Sequence, residues 1–193
     1  LLVRFGKWHE AIALPLPDDQ ELFCTLTAFT HYAHGVAHAA LGHVAEAEVE
    51  EKLFLAAKAR VPDSRVLHNN KVIHLMEIAT HMLRGEIAYR KEEYDRAFEQ
   101  LRQAITIEDN LPYDEPWGWM QPTRHALGAL LFEQGHITEA ETAYREDLGL
   151  GGQLSRATVH PDNVWSLKGL YDCLEARGEV VEIVHIRHRL QMA

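Results

Sequence analysis

Three histidines fall within eight residues of this chain, His31, His34 and His38 in the stretch HYAHGVAH, at spacings that line them along one side of an α-helix. Imidazoles one helical turn apart can chelate one divalent transition metal at about 2.1 Å from each nitrogen, or move protons near neutral pH. A second polar stripe, His74, Glu77 and His81, shares that helical phase, so His81 or Glu77 could complete the shell of an ion held by His31 with His34 or by His34 with His38. His31 and His38 lie about 10 Å apart along a helix axis, too far to share an ion without the reach of their side chains. The same pattern also suits neutral, hydrogen-bonded histidines in a partly solvated helix interface.

The segment EDNLPYDEPWGWMQPTRH, residues 108–125, concentrates prolines, carboxylates and aromatics in one connection. Connections that long carry function or are disordered, and rigid prolines beside large aromatics favour function. Tyr113, Trp117 and Trp119 are expected to fold over the helices or to line a pocket, with Asp114 and Glu115 presenting carboxylates to a cation, an amine or a metal. The alternative is a structural plug in which the tryptophans cap the core and Arg124 pairs with Asp114 or Glu115.

The chain that must position these groups has 193 residues, 47% hydrophobic and 25% charged, ample for a continuous core. No apolar run approaches the roughly 18 residues that span a bilayer and no signal-peptide layout opens the chain, so a cytoplasmic location and no membrane partner are expected. A formal charge of −10 argues against nucleic acid. Cys24 and Cys173 form no CxxC pair, and dinucleotide, phosphate-loop, serine-hydrolase and HExxH motifs are absent. The acidic stretches 46–51, 92–95 and 139–146 read as solvated outer faces of helices, without chemistry.

One short pattern recurs five times: GKWHEAI, GHVAEAE, EEYDRAF, GHITEAE and GEVVEIV, with turn positions 6, 42, 92, 135 and 178. A Gly, once Glu92, ends one helix, and a small residue such as Ala47 or Ala140 lets the next lie close against it. Gly35, Gly85 and Gly128 stand seven residues before their turns. Amphipathic patterning predicts helices over 20–41, 44–60, 69–90, 95–107, 119–134, 137–147, 163–177 and 180–191, and no strand.

With its aromatic, Leu-Gly, aromatic, Ala and Pro pattern in ALGALLFEQGHITEAETAY and LKGLYDCLEARGEVVEI, and the HPDN turn at 160–163, the chain resembles the tetratricopeptide repeat family over nearly its whole length. The resemblance implies an all-α fold: a right-handed α-solenoid of antiparallel helix pairs, about four repeats plus a partial N-terminal one. The expected division is a single domain, 1–193, with a partial repeat at 1–18, repeats at about 19–62, 66–109, 117–150 and 161–193, and the long loop at 108–122. The chain then opens mid-repeat, as a piece of a longer protein would. LPYDEPWGWMQPTRHALGALLFEQG further resembles the C-terminal part of longer, largely uncharacterised bacterial and fungal members.

In this family the positions 11, 8 and 4 residues before the turn are buried against the partner helix, which places His31, His34 and His38 at core positions. Other positions of each first helix line a concave groove, by phase Tyr32, Val36, Met82, Glu86, Tyr89, His125, Ala129, Trp165 and Lys168. Glu86, Tyr89, His125, Arg124 and the loop residues Tyr113, Asp114, Glu115, Trp117 and Trp119 form the expected binding site. The implied function is a binding module for a peptide, partner protein or small ligand, with no resident cofactor. A competing reading is a metal-dependent or acid–base enzyme, with the histidines of two neighbouring first helices holding a divalent transition metal. An uncovered solenoid end would favour a homo-oligomer.

Overall fold

At the five turn positions the backbone is left-handed: Gly6, Gly42, Glu92, Gly135 and Gly178 have φ of 63°, 81°, 63°, 79° and 70°. The amide that follows each one bonds back to the end of the preceding helix or turn. His43 N donates to His38 O, Glu93 N to Ala88 O, His136 N to Leu131 O and Glu179 N to Leu174 O, each at 2.9 Å. This is the helix-terminating arrangement that the repeated Gly implies.

The structure, a computed structural model, describes residues 1–152 and 154–193. Among these the helices are α1 (Trp8–Ile12), α2 (Cys24–Ala40), α3 (Val44–Lys58), α4 (Val72–Arg90), α5 (Tyr94–Glu108), α6 (Thr123–Glu133), α7 (Ile137–Asp147), α8 (Val164–Ala176) and α9 (Glu182–Met192). Several start later than the periodicity predicts, because a side chain takes the first amides or a proline blocks the preceding turn. Asp19 Oδ1 accepts from Glu21 N and Leu22 N, at 3.2 and 2.9 Å, and holds a turn before α2. Pro122 disfavours helical backbone in the residue before it and so delays α6. Glu179 Oε1 accepts from Val181 N and Glu182 N ahead of α9.

The expectation of no strand is corrected by a small hairpin, β1 (Val66–Leu67) and β2 (Asn70–Lys71), paired Val66 with Lys71 and Leu67 with Asn70. His68 at its tip is left-handed, φ 51°. Two-residue strands are too short to carry an alternating pattern, which is why the sequence shows no sign of them.

The described residues form two compact units, Leu1–Gly118 and Trp119–Ala193, divided within the long loop. In the first unit α2 packs on α3, α4 on α5, and both α2 and α3 on α4. Phe54, Leu75, Met76, Ile78, Leu83 and Leu101 are fully buried there. In the second, α6 to α9 pack in succession and α6 also meets α8, around Leu131, Leu167, Leu170 and Leu174. Each such side chain contributes about 1.5–3 kcal/mol of burial. At Gly35 a Cβ would lie 2.9 Å from Leu83, and at Gly128 it would lie 2.6 Å from the Tyr144 ring, so both first helices are crossed where only hydrogen fits. No helix among the described residues is long and apolar enough to cross a membrane.

Glu92 is the one turn position of the five without glycine, and a side chain in the left-handed region costs about 1 kcal/mol. Glu92→Gly is expected to raise the stability of the first unit by about that amount, read as a shift in the urea midpoint at unchanged slope.

Candidate functional site

Two clusters of ionisable side chains stand out, one in each unit. In the first, His31 Nδ1 lies 2.6 Å from Glu50 Oε2, and His34 Nδ1 faces Glu50 Oε1 at 3.7 Å. His31 and His34 sit one turn apart on α2, and Glu50 reaches them from the middle of α3. The three residues offer ligand atoms within 4.8 Å of one another. His34 Nε2 lies 3.0 Å from the Leu14 carbonyl, which fixes the ring. Burial works to raise the Glu50 carboxyl, but the hydrogen bonds of His34 and His31 outweigh it and hold Glu50 below the ordinary carboxylate range. The same carboxylate raises His34, against the opposite pull of burial.

The second stripe does not join this cluster, which corrects the expectation of one site shared by two first helices. Glu77 pairs with Lys58 at 2.8 Å, His81 Nδ1 lies 2.9 Å from Gln100 Oε1, and His74 is exposed. His38 is also outside it: its ring lies 5.8 Å from that of His43, and its Nδ1 is buried with no hydrogen-bond partner among the described residues. The reading of 46–51 and 139–146 as solvated faces without chemistry fails at three of their carboxylates. Glu50 is largely buried, Glu51 bonds Arg84 at 2.7 Å, and Glu141 is buried between Arg145 and Arg177.

In the second unit the centre is Asp147, 1% exposed at the end of α7. Its Oδ1 lies 2.6 Å from His160 Nδ1; its Oδ2 meets His125 Nε2 at 2.9 Å, Asn163 Nδ2 at 2.8 Å and Ser166 Oγ at 2.6 Å. An ionised carboxylate only accepts, so each facing ring nitrogen carries the hydrogen. Burial alone would raise the Asp147 carboxyl; the bonds from His125 and His160 overcome it and hold it far below its ordinary value. Asn163 also caps α8, its Oδ1 accepting from Ser166 N at 2.9 Å. The HPDN turn is thus organised around one buried anion.

His125, oriented by Asp147 and stacked on Trp165 with centroids 6.1 Å apart, borders a cleft of about 370 Å³. Ala129, Tyr144, Trp165, Lys168 and Asp172 are among the residues of its wall, and Lys168 Nζ lies 2.6 Å from both Asp172 oxygens. Burial pushes the Cys173 thiol up to about 12, which makes it a poor nucleophile at neutral pH.

The other expected site residues separate. Asp114 is buried and accepts from Asn69 N at 3.2 Å and Asn70 Nδ2 at 3.1 Å, so the hairpin holds this carboxylate. Tyr113 is exposed and its hydroxyl bonds Glu115; Trp117 is half-buried and Trp119 buried. Arg124 meets Glu146 at 3.1 Å, Glu86 pairs with Arg90, and Tyr89 is buried with its ring 5.2 Å from that of Tyr94. Sequence reasoning missed Glu50, Asp147, His160, Asn163 and Ser166. One signal was present: an aspartate in the last turn of a helix opposes the helix dipole and calls for local compensation.

Asp147→Asn leaves donors facing a group with one acceptor, and is expected to cost about 3 kcal/mol of stability in urea unfolding. The carboxyl is depressed in the folded state, so its contribution is full above the unfolded value near 4 and is lost as pH falls below it. The wild type should therefore lose stability below about pH 4 more steeply than the variant.

Comparison of the chain with protein-family models, with curated proteins and with solved structures returned no match, so a function is inferred from the residues themselves.

Proposed function

We propose that the chain is a tetratricopeptide-like helical-repeat module, a right-handed stack of antiparallel helix pairs, that binds a peptide segment of a partner protein in the cleft of its C-terminal unit. One observation carries this reading. His125, Ala129, Trp165 and Lys168, the four residues of this unit that the repeat phase assigns to a ligand groove, line the same cleft.

The lining suits a peptide. Trp165, half-buried and stacked on His125, offers the apolar surface for one apolar or aromatic anchor side chain, which gains most of its energy from leaving water. The Lys168–Asp172 pair offers a donor and an acceptor to the peptide backbone beside it. Asp147 fixes the tautomer of His125, with the hydrogen on Nε2, so Nδ1 is left as an acceptor. The loop carboxylate Asp114 is taken by the hairpin, so the loop contributes an anchor within its own unit and the cleft takes the ligand role.

Panning a random dodecapeptide library against the full chain tests this. Enriched peptides are expected to lose roughly 30-fold in affinity with Trp165→Ala, a truncation of about 2 kcal/mol, and to be unaffected by Tyr171→Ala, outside the cleft wall. Failure to enrich any sequence, or peptides indifferent to Trp165→Ala, overturns the proposal.

A further inference from the structure

We propose that His31, His34 and Glu50 form a binding site for one divalent transition-metal ion of the zinc class, held by the two Nδ1 atoms and the Glu50 carboxylate. The site lies in the N-terminal unit and is independent of the peptide-binding reading.

The first ground is the donor set. Two imidazole nitrogens and one carboxylate are a three-ligand set that zinc takes with a fourth position open, and ligand atoms in such a shell lie about 3.4 Å apart. Here the candidate atoms already lie within 4.8 Å of one another, so side-chain rotations of about an ångström close the shell. The two histidines are one turn apart on a single helix and the carboxylate faces them from the next, so the geometry rests on helices.

The second ground is the support behind the ligand. A carbonyl only accepts, so His34 Nε2 carries the hydrogen that points at Leu14 O. In the neutral ring, Nδ1 then turns its lone pair toward Glu50 Oε1, 3.7 Å away. The space between these atoms suits a cation, either a proton on Nδ1 or a metal ion in its place. An imidazole whose other nitrogen is tied to a backbone carbonyl is the usual support of a metal-ligating histidine.

The third ground is an internal contrast. The same positions of the next repeat hold His81, Arg84 and Gln100, and there His81 is paired with the neutral Gln100 amide at 2.9 Å. One histidine at this core position is satisfied by a neutral amide. Only the first repeat adds a second imidazole and an anionic partner.

Binding displaces the proton that His31 Nδ1 shares with Glu50 Oε2, so affinity falls as pH falls. The test uses Co²⁺ and Zn²⁺ on the full chain after chelator treatment. One equivalent of Co²⁺ is expected to give the intense visible bands of a four- or five-coordinate nitrogen–oxygen site, and one equivalent of Zn²⁺ to remove them. His34→Gln and Glu50→Gln are each expected to weaken Zn²⁺ at least about 100-fold, Glu50→Asp to weaken it less, and His74→Gln or His81→Gln to leave it unchanged. A wild-type Co²⁺ spectrum no stronger than that of the hydrated ion overturns the proposal, and needs no variant to fold. Equal Zn²⁺ affinity in the wild type and Glu50→Gln overturns it too, by placing the ion elsewhere among the 13 histidines.

Discussion

A residue in the left-handed conformation, followed by an amide bonded to a carbonyl five residues earlier, ends the helix before each turn position from 42 onward. The bond leaves the entry angle of the next helix little freedom, and with it the register between the two. The residue eleven before the turn then faces the residue eight after it, and so His31 meets Glu50 and His81 meets Gln100. In the last pair the same positions carry Leu167 and Ile186, both buried. One backbone device therefore sets which positions face each other, although Arg124, at the same position of the third pair, reaches past Ala143 to Glu146.

That register explains how polar residues are tolerated at positions where the last helix pair carries apolar ones. A buried imidazole without a partner would cost a few kcal/mol, whereas a paired one costs little. In the second unit the logic is concentrated on Asp147, whose two oxygens receive four side-chain donors. Those donors come from α6, from the HPDN turn and from α8, so one carboxylate holds together the elements that border the cleft. Tyr144, whose ring packs where Gly128 and Gly169 have no side chain, closes the same region from α7.

Much of the helical layout was legible beforehand, because a Gly with an Ala five residues on and a 3.6-residue apolar period are local signals. Helix starts were less legible. They depend on which side chain captures the first free amides, as Asp19 and Glu179 do, and that competition leaves no mark on periodicity. The hairpin at 66–71 was invisible for a similar reason: its two-residue strands are held by Asp114, more than 40 residues away.

For the candidate sites the division is sharper. The sequence by itself determined that His31 and His34 share a helix face, that His125 with Ala129 and Trp165 with Lys168 each do so too, and that glycine or its substitute breaks the chain into helix pairs, since all of these follow from spacing along one stretch of backbone. Only the tertiary structure decided that Glu50, and neither Glu77 nor His81, faces the histidine pair, and that Asp147 sits under His125 and His160. Those pairings join residues 13 to 22 positions apart across a turn; the turn limits how the next helix leaves, but the packing of the two helices completes the angle at which they meet, and periodicity along one helix does not encode that.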